Sequence, residues 1–145
     1  MMSLSEKQVC SLEYSRELEK LGVRQNSIFY WRKYSLCKNT DLYYIPNKEI
    51  DLLVLSGQLE YNLSAFTATE LLERLPSKLP IKARATDFEC DYSLSIYKLD
   101  DGKYEVCYAG LSDAGCYGNE IIIDTLTNAL AKLLIYLLEN KTITL

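Results

Sequence analysis

Hydrophobic and polar positions along this chain alternate between two periods, and the changes of period mark its elements. In SLEYSRELEKLG, Leu12, Leu18 and Leu21 recur at roughly helical spacing, with Ser11 placed to cap the start and Gly22 to end it. FTATELLERLP is punctuated more sharply. Thr67 as N-cap with Glu70 three residues on predicts a capping box, Phe66 can staple onto Leu71, and Pro76 stops the helix. A third helix is expected from about Asp124, as its cap, to Glu139, with Asn140 ending it. Its apolar stripe is Leu126, Leu130, Leu133, Leu134, Leu137 and Leu138.

Between these helices the pattern is that of strands. SIFYWRKYSL and TDLYYIP, the latter stopped at Pro46, are rich in aromatics. EIDLLVL fits either period, and the SGQLEYNL that follows favours strands. CDYSLSIYKLDDGKYEVCYAG reads as a hairpin turning at Asp101-Gly102. A two-residue type I′ turn there pairs Asp100 with Lys103 and Lys98 with Glu105, whereas a four-residue loop sets Lys98 against Lys103. The first register places Leu94, Ile96, Cys107 and Ala109 on one face and Tyr97, Leu99, Tyr104, Val106 and Tyr108 on the other. Both faces are apolar enough to be covered, which implies helices flanking the sheet. The expected fold class is α+β: one domain over residues 1–145, a mostly antiparallel sheet with helices packed on it, and an α/β/α sandwich if both faces are covered.

Composition changes the picture mainly by exclusion. The 145 residues suffice for one hydrophobic core, and 48% apolar with 25% charged residues is a globular profile. The longest apolar stretch, LAKLLIYLL, is too short to span a bilayer, and the first residues lack the pattern of a signal peptide, so a cytoplasmic protein is expected. Five cysteines at irregular gaps read as reduced thiols rather than a disulfide framework. The chain has no histidine, which removes the commonest metal ligand and general base and every Ser-His or Cys-His dyad. No metal or cofactor is expected.

The net charge of −4 argues against non-specific nucleic-acid binding, although residues 1–48 carry eight Lys/Arg against five acids. The glycine spacing of YAGLSDAGCYG, between a strand-like and a helical run, resembles a phosphate-cradling loop. Cys116 and Tyr117 stand where the lysine and hydroxyl would be needed, and Asp113, Glu120 and Asp124 add negative charge; it reads as a turn. Asp87, Glu89 and Asp91 alternate on one face of an extended segment but lack calcium-loop spacing. Cys116 is the only thiol placed to be tested as a nucleophile, and it has no imidazole to activate it.

Two binding surfaces remain. The run Phe29–Tyr34, with Tyr30, Trp31, Arg32 and Lys33, combines aromatic and basic groups as single-strand nucleic-acid binders do. Twelve tyrosines, among them Tyr97, Tyr104 and Tyr108 in the hairpin, suggest a tyrosine-lined sheet face suited to a protein partner.

VCSLEYSRELEKLGV, SIFYW, SAFTATELLERLP, DGKYEVCY and NALAKLLIYLLEN together, and in this order, resemble a group of small uncharacterised proteins of Bacteroides-type gut bacteria and their phages or prophages. The resemblance covers most of the chain and is weakest over residues 36–63. It implies a mobile-element accessory protein and brings no catalytic or binding residues with it. The expectation is therefore a non-enzymatic protein acting through a protein partner, a homodimer included. Nucleic acid is the less expected partner, through the Phe29–Tyr34 strand.

Overall fold

Ser11 opens the first helix, α1 (Leu12–Lys20), its hydroxyl accepting the Tyr14 N–H at 3.4 Å. The helix closes as Gly22 predicts. Gly22 takes φ +83°, Val23 N–H reaches Leu18 O and Gly22 N–H reaches Glu19 O, a Schellman end with Val23 and Leu18 both in the core. The computed structural model describes residues 6–34, 38–44, 59–82, 89–110 and 116–145. The EIDLLVL segment lies outside them.

Helix α2 (Ala68–Arg74) has the expected capping box, with both reciprocal bonds between Thr67 and Glu70, and Phe66 and Leu71 are fully buried in one cluster. Helix α3 (Leu126–Glu139) departs from expectation at its start. Its cap is Thr125, whose hydroxyl accepts from Asn128 N–H at 3.2 Å, rather than Asp124. The Asn128 side chain thereby faces the N-terminal segment and accepts Ser11 N–H at 2.8 Å. The expected leucine stripe is present, but Ala129, Ala131 and Ile135 are buried as well. The helix is enclosed on more than one side because it packs on strands and on both α1 and α2.

The strands form two antiparallel sheets. The first has the order β2–β1–β3, from β1 (Phe29–Tyr34), β2 (Asp41–Tyr44) and β3 (Leu59–Ser64). The second, β4–β5–β6–β7, contains β4 (Lys78–Lys82), β5 (Glu89–Lys98), β6 (Tyr104–Ala109) and β7 (Cys116–Ile123). The α+β class stands as expected. Strand β7 is an addition to it: YAGLSDAGCYG does not lead from strand to helix but joins two neighbouring antiparallel strands, and α3 begins only after β7. Residues 111–115 of that connection lie outside the described residues.

The hairpin register corrects the sequence reading. Lys98 pairs with Tyr104 and Tyr97 with Glu105, one residue away from the expected pairing. Leu99 N–H donates to Lys103 O at 2.8 Å, so the loop is three residues, with Gly102 at φ +86°. The physical reason is one of magnitude. Exposed cross-strand charge pairs offer about 0.2–1 kcal/mol each. A one-residue slip would turn every side chain to the opposite face. Val106 and Tyr108 share a face in either register and are fully buried; the observed one sets Leu94, packed against the core, and Ile96 beside them, where the expected one would set Ser95 and Tyr97. A large apolar side chain moved into the core is worth about 1.5–3 kcal/mol when fully buried. Core burial decides the register.

Two clusters hold these layers. The larger lies between the helices and the inner face of the four-stranded sheet and includes Leu18, Phe66, Leu71, Val106, Tyr108, Ile121 and Leu130. The smaller joins Trp31, Leu63 and Ala65 to Val9, with Leu12, Phe29 and Leu42 against it.

Candidate functional site

Strand β1 is two-sided, and its sides have different fates. Trp31 points into the smaller core at 7% exposure, and its indole N–H donates to Cys10 O at 2.9 Å. A stacking platform needs an open ring face; this ring is enclosed, and Trp31 is thereby removed as a surface for a base. Lys33 forms a half-exposed ion pair with Glu60 at 2.7 Å, a contact worth at most about 1 kcal/mol.

The other side of β1 carries Tyr30 and Arg32. Register sets Tyr30 between Tyr43 and Ser64, and Arg32 between Asp41 and Asn62. Arg32 is 2% exposed. Its Nε–H donates to Asn62 Oδ1 at 2.8 Å, and its guanidinium carbon lies 5.7 Å from the ring centroids of both Tyr30 and Tyr43. Tyr34 meets Tyr43 edge-on at 5.8 Å. Burial raises the Tyr30 phenol above its ordinary range, against the pull of the Ser64 hydroxyl and the Arg32 cation, so it stays protonated at neutral pH. Tyr30 and Arg32 are thus brought together, in a buried aromatic setting rather than on an open platform.

The three hairpin tyrosines do not share a surface. Tyr108 is fully buried, and its hydroxyl donates to Pro76 O at 2.6 Å. Tyr104 packs half-buried against the same core, with the Lys98 ammonium 5.9 Å from its ring centre. Tyr97 lies on the opposite, outer face at 56% exposure. The expected tyrosine face therefore splits, because the register moves Tyr97 away from the other two. Its outer neighbours are Glu105 and, across the next strand pair, Ile122 at 45% exposure. Sequence reasoning missed Ile122, which sits in the unpredicted strand β7. Three consecutive isoleucines before Asp124 were the available signal. Two residues along the same face Cys107 is fully buried, so the open region is the hairpin end.

Two cysteines have described surroundings, and both are enclosed. Cys10 is fully enclosed, and burial pushes its thiol up to about 11. Cys107 is also buried. The Cys116 side chain lies outside what the structure describes, as do those of Asp87 and Glu89. Among the described residues there is no group of three metal-ligating side chains, and no helix long and apolar enough to cross a membrane. A cleft of about 460 Å³ runs between the end of α2 and the C-terminal segment, lined by Glu73, Arg74, Pro76 and Thr142–Thr144. Its cation, Arg74, is committed to structure: it donates to Glu70 O and Asn26 Oδ1 and lies 4.6 Å from the Phe66 ring centre. Compared with protein-family models, with curated proteins and with solved structures, the chain matches none of them.

Proposed function

We propose that this chain is a non-enzymatic binding protein, of the mobile-element accessory type and acting in a bacterial cytoplasm, which holds a protein partner on the outer face of its four-stranded sheet. One observation supports the reading above the others. Tyr97 and Ile122 stand exposed on that face on either side of Glu105, while α3 packs on β6 and β7 with their inner residues in its core. Tyrosine suits such a surface, since its ring buries on contact while its hydroxyl keeps a polar partner. Large apolar side chains on adjacent strands are the kind of contact from which an interface core is built. A second copy of the chain is one partner of this kind.

The test pairs wild type with a Tyr97→Ser/Ile122→Ser variant, both exposed positions where substitution costs little stability. Each is used as bait in bacterial lysate treated with nuclease, and each is sedimented over a concentration series. A protein retained by wild type and lost with the variant supports the reading, as does self-association abolished by the variant. Identical capture and identical sedimentation would rule out this face.

A further inference from the structure

Arg32 carries a permanent positive charge in a place where charge is expensive. A guanidinium does not lose its proton in a protein, and at 2% exposure it has left bulk water. Buried ions are ordinarily paired, because the desolvation cost is several kcal/mol. Here the Nε–H bond goes to the neutral amide of Asn62, and the guanidinium carbon lies 5.7 Å from the ring centroids of Tyr30 and Tyr43. Each such ring contact is worth about 0.5–2 kcal/mol, which offsets only part of the cost. Asp41 stands opposite in register but is exposed, and the Lys33–Glu60 and Lys103–Asp101 ion pairs do not include Arg32. The Nη2 nitrogen is buried with no hydrogen-bond acceptor among the described residues.

We propose that Arg32 anchors a small oxyanion, a carboxylate or phosphate group, at the Nη2 edge of its guanidinium on the tyrosine-bearing side of the three-stranded sheet. With Nε held by Asn62, the Nη2 N–H groups can donate a charge-assisted hydrogen bond to an oxygen of either group. An anion there would supply the missing acceptor and neutralise the charge together. The two rings flank the guanidinium, and at a buried nitrogen a small group displaces less of the surroundings than an extended one. The site is independent of the Tyr97–Ile122 face, which belongs to the other sheet, so either reading can fail without the other.

Thermal unfolding is followed in chloride, acetate and inorganic phosphate at one ionic strength, for wild type and for Arg32→Met. With the anion at tenfold its Kd, wild type should unfold about 3 °C or more higher than in chloride. Acetate or phosphate as the effective arm identifies the source of the oxyanion. Loss of the shift in Arg32→Met supports the assignment; an equal shift in both proteins, or none in wild type, overturns it. Should Arg32→Met fail to fold, the Nε–H resonance of Arg32 in the wild-type protein decides. It should move on titration with the effective anion and stay fixed with chloride, and an unmoved resonance overturns the proposal.

Discussion

Ser27 and Glu70 meet across 43 residues of chain: the Ser27 hydroxyl lies 2.9 Å from Glu70 Oε2 and donates to it, while the same carboxylate accepts Thr67 N–H at 2.7 Å and, through Oε1, Ile28 N–H at 3.2 Å. One side chain thus completes the cap of α2 and fixes the entry to β1. It links the larger core, through Phe66 and Leu71, to the smaller, through Trp31 and Ala65.

Glu70→Ala should therefore cost more than the loss of a helix cap. Thr67→Ala is expected to lose about 1 kcal/mol. Glu70→Ala leaves the Ile28 and Thr67 N–H groups without their acceptor and should lose about 2–3 kcal/mol. A double-mutant cycle with Ser27→Ala should show coupling of at least about 0.5 kcal/mol. Urea denaturation measures all three. Equal losses for Thr67→Ala and Glu70→Ala would show that the bridge to β1 contributes nothing.

The C-terminal end of α3 offers a gain of stability. Thr142 N–H donates to Leu137 O and Lys141 N–H to Leu138 O, the same Schellman pattern that Gly22 completes after α1. Here the left-handed position is held by Lys141, at φ +54°. A side chain in that region costs about 1–2 kcal/mol relative to glycine. Lys141→Gly is expected to raise stability by about 1 kcal/mol, part of the gain being lost to the freer unfolded chain. A midpoint in urea unchanged from wild type would mean the strain is relieved elsewhere.

The contrast between Gly22 and Lys141 bears on what the sequence made legible. Local signals are legible where one residue's chemistry decides: Ser11, Thr67 with Glu70, Pro76 and Gly22 each act within a turn of themselves. The hairpin register is not legible locally because it depends on which face meets α3, a fact carried by residues far along the chain. The D-G pair signals a turn, but not whether its loop has two residues or three. The cap of α3 was misplaced by one residue because Asp124 and Thr125 are both good caps, and β7 puts its last three residues at Ile121–Ile123. The site followed the same rule. Arg32 and Tyr30 were picked out by composition, but the burial that changes their meaning comes from neighbouring strands. Tyr97 was found in the wrong company, since faces follow register.

Tyr108 makes the register testable. Its ring is fully enclosed while its hydroxyl donates to Pro76 O at 2.6 Å, and burial alone raises its phenol well above the ordinary tyrosine range. Tyr108→Phe keeps the ring and strips the Pro76 carbonyl of this donor, and should cost about 1–2 kcal/mol. Tyr97→Phe, on the open face, should cost under about 0.5 kcal/mol. Under the register expected from the charge pairs the two would lie on one face, so similar losses would argue for that alternative.

Cys10 gives the protein a stability that depends on alkaline pH in a defined direction. Its side chain is fully buried in the larger core together with Phe66, with Sγ 3.3 Å from Ser15 Oγ, and burial pushes its pKa up to about 11. In the unfolded chain a cysteine titrates near ~8.5. A pH unit or more below that value the thiol is protonated in both states and its contribution is fully present. Between ~8.5 and about 11 the unfolded chain loses the proton while the folded protein keeps it, so the unfolded state binds fewer protons and stability falls as pH rises. The slope approaches about 1.4 kcal/mol per pH unit within that window. Cys10→Ala removes the group, and titrations common to both proteins cancel in the comparison. Urea denaturation at pH 7.5, 8.5 and 9.5 should therefore show wild type losing about 1 kcal/mol more than Cys10→Ala over the upper interval and only about 0.4 kcal/mol more over the lower. Parallel losses in the two proteins would mean that the Cys10 thiolate forms as easily in the folded chain as in the unfolded one, and that the enclosure around it opens.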